Sequence, residues 1–314
     1  MSKAFVFPGQ GSQVIGMGKD FFNNFDVAKR VFQEVDDILK FGLSNIIFEG
    51  PQEILTDTEN AQPAIMCVSI AILRTLEKES GKKINDLCDY VAGHSLGEYT
   101  ALCASGALTL SDTAKLLKIR GKAFSEATLM EGGGMCALLG GTIEQVQNFV
   151  VNLRNGADKE CIQIANDNAN GQVVISGSDS LVNKAVEIAK DAGFKKAVKL
   201  NVSGAFHSKL MSSAVDVMQD ALNAVKINVP LVKFVSNVDA RITQDVDRVK
   251  QNLLTQINNT VRWRETILLF EKEGVSKIVE FGNKTLAPMV GRTVKDVNIE
   301  AMTVSNVEEL KLIV

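Results

Sequence analysis

The sequence predicts an α/β protein in which a parallel sheet, covered by helices on both faces, carries a smaller α+β unit inserted between its strands. Three observations lead there. Short apolar runs alternate with segments of helical periodicity over most of the 314 residues, the pattern of strands buried on both faces. Between residues 129 and 200 the alternation changes to an order β-α-β-β-α-β. A Gly-x-Ser-x-Gly sequence also stands where an apolar run gives way to a small-residue helix.

Taken in order, Ala4-Phe5-Val6-Phe7 is an apolar run stopped by Pro8-Gly9, so a buried strand and a loop. Val27, Val31, Val35 and Ile38 recur at helical spacing, with Asp26 offering an N-cap. Pro63 suits the first turn of a helix running to about Lys78, with Gly81 to stop it. Asp89 to Gly93 is a strand, Leu96 to Ser105 a helix, and Ser111-Asp112 cap a further helix to Ala127. In the inserted stretch, Met135–Leu139 is a strand and Thr142 caps a helix. Cys161–Ala165 and Gln172–Ser176 are strands around an Asn/Asp/Gly-rich turn. Ser180–Ala192 is helical and Lys195–Leu200 closes the unit. That order is ferredoxin-like, and it divides the chain into a large part, 1–128 with 201–314, and a small part, 129–200. The large part resumes with a helix over 208–225 and a strand at Val232–Val235. Helices near 246–258 and 263–273 follow, then strands at Lys277–Phe281 and Ile299–Val304 flanking a helix that begins near Pro288.

Composition narrows the function. There are 34 basic and 37 acidic residues, not the basic balance of a nucleic-acid binder. No apolar run approaches the roughly 20 residues that cross a bilayer, and the apolar run at the N-terminus is too short for a signal peptide. Cys67, Cys88, Cys103, Cys136 and Cys161 are scattered without a CxxC pair, which reads as reduced thiols in a cytoplasmic protein. His94 and His207 are the only histidines. A multi-histidine metal site is therefore not expected.

Gly93-His94-Ser95-Leu96-Gly97 sits between a strand and a helix, the context of a nucleophile elbow. A serine there meets the free N–H groups of the helix N-terminus, which stabilise an oxyanion. The plain alternative is a glycine-bounded turn with a solvated serine. A serine nucleophile needs a base. His94 is its neighbour at a sharp turn and points elsewhere, so His207, just after a strand, is the better candidate by elimination. Pro8-Gly9-Gln10-Gly11-Ser12-Gln13 fails the dinucleotide pattern, because Val14 stands where the third glycine belongs; the loop suits a second oxyanion N–H. Arg120 is either a snorkelling surface arginine or a carboxylate clamp, and its sequence context does not choose.

Several segments, in this order along the chain, resemble one family. They are Phe7 to Gln13, Gln62-Pro63-Ala64, Ala92 to Glu98, Arg120-Gly121, Ile164 to Asn168 with Gln172 and Val174 to Gly177, Phe206-His207-Ser208, Val261-Arg262-Trp263 and Glu280-Phe281-Gly282. The chain resembles the bacterial malonyl-CoA:acyl carrier protein transacylases of fatty acid synthesis. The resemblance implies an α/β-hydrolase-like parallel-sheet subdomain with an inserted ferredoxin-like subdomain. It implies Ser95 as nucleophile, His207 as general base, the backbone N–H groups of Gln10 and Leu96 as oxyanion hole, and Arg120 as the site of the malonyl carboxylate. A backbone carbonyl, expected from the segment at Arg262, would orient the histidine. Phe206 resembles the malonyl-selecting form of its motif. The implied partners are malonyl-CoA and holo-acyl carrier protein, whose phosphopantetheine takes the acyl group. No resident cofactor, metal, nucleic acid or membrane is implied, and a monomer is expected. Asn170, Gly204-Ala205 and Asn283-Lys284-Thr285 depart from the family pattern and bear on loop stiffness. Two rival readings stay open: a serine thioesterase with Asp112 or Asp167 as triad acid, and a catalytically idle docking protein.

Overall fold

Ten strands make two sheets in the computed structural model, which describes residues 2–155, 160–202, 204–294 and 299–314. The strands are β1 (Ser2–Phe7), β2 (Tyr90–Gly93), β3 (Gly134–Leu139), β4 (Ile162–Ala169), β5 (Gln172–Gly177), β6 (Lys196–Lys199), β7 (Lys233–Val235), β8 (Ile242–Thr243), β9 (Val275–Phe281) and β10 (Glu300–Val304). The large sheet has the order β10-β9-β1-β2-β7-β8 and is parallel except for β8. Alternation along its central strands divides the core. Phe5, Phe7, Val91 and Phe281 pack on one face against the helix Thr58–Ser80, while Ala4, Val6, Tyr90 and Ala92 pack on the other against Trp263, Ile267 and Phe270. Each large apolar side chain buried this way contributes roughly 1.5–3 kcal/mol.

The second sheet, β4-β5-β3-β6, is wholly antiparallel. Its outer face packs on the helices Ile143–Arg154 and Asp179–Ile188 through Phe149, Leu153, Leu181 and Phe194. Met135, Ala165 and Val174 on its inner face join the core of the large sheet. The ferredoxin-like strand order expected from the sequence is present.

Some boundaries differ from expectation, each for a physical reason. The helix placed from Pro63 begins at Thr58. Pro63 has no N–H to return to the Glu59 carbonyl, but the first turn is held by Asn60 and Ala61 N–H groups donating to Asp57 O at 2.8 Å. Packing holds it as well: a Cβ on Gly121 would lie 2.6 Å from Thr58 O, so the helix Leu110–Glu131 rests directly on that turn. Thr109, not Ser111-Asp112, caps Leu110–Glu131, and Asp26 is the first helical residue, behind Phe25 at the cap. The helix over 208–225 is a 3-10 turn, Lys209–Met211, followed by Ser213–Asn223. The largest difference is β4, which continues through Asn166-Asp167-Asn168, residues that read as a turn. Val261 N–H donates to Ala165 O at 2.8 Å and Asp167 N–H to Val261 O at 2.9 Å, and Arg264 clamps the Asp167 carboxylate. Two register shifts absorb the bend. One strand thus ties the small sheet to the large part of the chain.

Candidate active site

The loop after β2 is a sharp turn that only glycine permits at its two ends. A Cβ on Gly93 would sit 1.8 Å from Gly97 O, and one on Gly97 would sit 2.2 Å from Phe7 O. Between them Ser95 holds φ 55°, left-handed for a residue with a side chain. Asn237, just beyond β7, staples the turn: its Nδ2 donates to Gly93 O at 2.7 Å, and Ser95 N–H donates to its Oδ1 at 2.8 Å. Among the described residues no acceptor takes the backbone N–H of Leu96 or of Gln10. Both remain free to bind an oxyanion, and Gln10 lines the same cleft as Ser95.

Ser95 Oγ stands 2.8 Å from His207 Nε2. His207 Nδ1 stands 2.7 Å from Gln256 O. A carbonyl only accepts, so Nδ1 carries the proton and Nε2 is left as the acceptor for the serine hydroxyl. This corrects the expectation at Arg262. Gln256 ends the helix Val246–Gln256, where carbonyls point out of the helix without intrahelical partners. Arg262 stands at the start of Trp263–Lys272, so its carbonyl points into that helix and accepts from Thr266 N–H. Its side chain pairs with Glu265, and both line a separate cleft. The negative end of the Val246–Gln256 helix also favours the imidazolium that forms when His207 takes a proton. His207 is 3% exposed. Burial, reinforced by the Arg120 charge, lowers its pKa to about 3, so the free imidazole is neutral.

Arg120 is 1% exposed. Its Nη1 donates to Gln62 Oε1 at 2.8 Å, and its Nη2 donates to Gln256 Oε1 at 2.8 Å and to Ser95 Oγ at 3.1 Å. The guanidinium lies 4.2 Å over the Phe124 ring, which in turn packs against Phe206. No carboxylate among the described residues pairs with it. Its Nε, and Nε2 of Gln62 beside it, are buried donors without a partner.

The structure therefore brings Ser95, His207 and Arg120 together and leaves Arg262 apart. His94 does not bond the Ser95 hydroxyl; its Nε2 meets Asn168 Oδ1 at 2.8 Å and its ring packs on Trp263. Neither triad-acid candidate reaches His207: Asp112 bonds Thr109 and Asp167 is held by Arg264. Asn237 and Gln256 were missed in the sequence, where lone amides carry no spacing signal; Glu98, Gln62 and Asn168 sat inside recognised motifs without a role. Of the departing loops, Asn170 donates to Thr293 O, Asn283 to Ser12 O and Thr285 to Glu280, and a Cβ on Gly204 would strike Thr128 Oγ1.

A cavity of about 350 Å³ reaches the dyad, lined by Gln10, His94, Phe124, Met135, Asn166 and Phe206 among others. No group of three or more metal-ligating side chains occurs among the described residues, and no helix among them is long and apolar enough to cross a membrane.

Comparison with known proteins agrees over nearly the whole chain. Residues 4–308 match the family model described as an acyl transferase domain. The chain is 42% identical over 316 aligned positions, covering 99% of it and 96% of the relative, to the malonyl CoA-acyl carrier protein transacylase of Bacillus subtilis strain 168. It superposes with a TM-score of 0.94 on an acyl-carrier-protein-S-malonyltransferase from Bartonella henselae, 46% identical, covering 99% of this chain and 98% of the other. It superposes at 0.92 on a malonyl-transacylase solved in complex with a type II polyketide acyl carrier protein, 34% identical, with 99% and 98% covered.

Proposed function

The chain belongs to the acyl transferase family and is a malonyltransferase that serves acyl carrier protein in fatty acid synthesis, and we propose that it works by ping-pong transfer from malonyl-CoA through a malonyl ester of Ser95. The observation that carries the assignment of residues is Arg120. A buried cation bonded only to neutral oxygens, 3.1 Å from a nucleophilic hydroxyl, is an anion site at acyl length from the attacking atom.

The steps follow from the geometry. His207 Nε2 takes the Ser95 proton as Oγ attacks the thioester carbon. Negative charge develops on the carbonyl oxygen, where the free N–H groups of Leu96 and Gln10 receive it; each such donor is worth about 3 kcal/mol. His207 returns the proton to the departing CoA sulfur. The phosphopantetheine thiol of acyl carrier protein then enters the same cleft, gives its proton to His207 and attacks the ester; as the ester bond breaks His207 passes that proton to Ser95 Oγ, 2.8 Å away, and the carrier leaves as the malonyl thioester. Arg120 holds the malonyl carboxylate throughout, with Phe124 and Phe206 shaping the wall beneath it. The thioester chemistry resides in the two substrates, and we propose a monomer without a resident cofactor.

Intact-mass measurement after brief mixing with malonyl-CoA tests this. One malonyl adduct is expected on the wild type, absent from Ser95→Ala and discharged by holo-acyl carrier protein. Release of CoA with malonate and no adduct transfer would identify a thioesterase instead.

A further inference from the structure

Gln256 connects the charged groups of the site. Its Nε2 donates to Glu98 Oε2 at 2.5 Å and to Ser95 O at 2.9 Å, while its Oε1 accepts from Arg120. Asn237 N–H donates to the other Glu98 oxygen at 3.0 Å. Glu98 is fully buried in the helix Gly97–Ala104, directly after the nucleophile. One amide plane separates its carboxyl from the guanidinium, and no step of the proposed reaction uses it. Beside it lies the buried Ser236 hydroxyl, which with the Asn237 N–H and the Gln256 amide favours the carboxylate, while burial opposes it.

We propose that Glu98 is the resident counter-charge of Arg120 and takes up a proton when the malonyl carboxylate occupies Arg120. The inference rests on the reading of Arg120 as the carboxylate site. A buried pocket with one cation accommodates one anion; a second carboxylate arriving there raises the pKa of the first. The other titratable groups facing Glu98 are accounted for. Tyr99, on the same helix, is pushed up to about 12 and stays neutral. Asp239, beyond β7, is paired with Arg248 at 2.6 Å. His207 stands across Gln256 and its pKa is lowered to about 3, so it needs a far larger shift than Glu98, which burial already holds at about 7. The proton comes from buffer and ends on a Glu98 oxygen, leaving the site neutral before and after loading. Glu98 is thus a specificity-determining positioning residue. Its anion holds Gln256 and Arg120 in place in the free enzyme, and its neutralisation admits a carboxylate but is not triggered by an acetyl group.

The test uses Ser95→Ala protein, which binds without being acylated, titrated calorimetrically in two buffers of different ionisation heat. At about pH 7.5 a carboxyl with a pKa of about 7 is roughly three-quarters ionised, so malonyl-CoA binding is expected to take up roughly 0.5–0.75 proton. Acetyl-CoA, which carries the same phosphates, is expected to take up none. Adding Glu98→Gln abolishes the uptake, and Glu98→Asp retains it. Absence of malonyl-linked uptake on Ser95→Ala alone overturns the proposal, as does uptake that persists in Glu98→Gln, which would place the proton on His207. Equal affinity for malonyl- and acetyl-CoA would instead mean that the carboxylate reading of Arg120 has failed; a malonyl preference without uptake defeats only the role of Glu98.

Discussion

Replacing Arg120 by methionine isolates the carboxylate clamp. Methionine keeps an unbranched apolar side chain against Phe124, 4.2 Å below the guanidinium, and removes the charge. In the loaded enzyme the malonyl carboxylate would then lie in a pocket whose cation is gone. Removing one partner of a buried, hydrogen-bonded charge pair costs about 3–5 kcal/mol, and each 1.36 kcal/mol is tenfold in rate. The expected loss in kcat/KM for malonyl-CoA is therefore roughly 150- to 5,000-fold. Acetyl-CoA brings no carboxylate, so its kcat/KM is expected to stay within about tenfold. Stability changes little, within about 2 kcal/mol: relief from burying a guanidinium offsets the Gln62 and Gln256 oxygens left without a donor, and Glu98, its counter-charge gone, takes up a proton instead of remaining a lone buried anion. The assay is CoA release with holo-acyl carrier protein as acceptor, run on both thioesters beside a thermal melt. An equal loss on malonyl- and acetyl-CoA, with an unchanged melt, would refute the clamp.

Two further outcomes follow from the same geometry. Gly97→Ala would place a Cβ 2.2 Å from Phe7 O and 2.8 Å from Pro8 O; a loss of at least about 2 kcal/mol in denaturant unfolding is expected, and an unchanged midpoint would mean the elbow does not press on β1 as described. Single-turnover acylation is expected to be flat from about pH 8 to 5 as far as His207 titration governs it, because the imidazole, lowered to about 3, is already neutral there. The unfolded chain binds a His207 proton below about 6.5 that the native state refuses until about 3, so this group destabilises the fold as pH falls through that window; an acid limb in the rate near 6.5 that persists in Glu98→Gln, where the neighbouring carboxyl at about 7 is gone, would contradict the burial argument.

Much of this was legible because it depends on local rules. Apolar runs placed β1, β2 and β9, the Gly93–Gly97 spacing put Ser95 on a sharp turn, and scarcity pointed to His207, which the structure sets 2.8 Å from the Ser95 hydroxyl. What failed to show was whatever is decided by groups distant in sequence. Asn166 to Asn168 look like turn residues, and their pairing with β5 is completed by Val261 and Arg264, about a hundred positions on, which help hold them extended. The histidine's carbonyl partner belongs to Gln256 because a helix happens to end there; one helix further along, the same atom at Arg262 is consumed by its own helix. Asn237 and Gln256 hold the elbow through single amides, and no periodicity or motif distinguishes such an amide from a solvated one.

Ser95 and His207 share a backbone conformation: both hold positive φ, at 55° and 57°. Each holds a conformation that glycine adopts freely and that costs a residue with a side chain about 1–3 kcal/mol. At His207, buried against Phe124 and bonded to Gln256, the cavity left by glycine outweighs that relief; at the less buried Ser95 it does not, so selection for heat resistance alone bears on the hydroxyl first. A lineage released from the need for acyl transfer should therefore lose the Ser95 hydroxyl before the His207 ring, and keep its sheets.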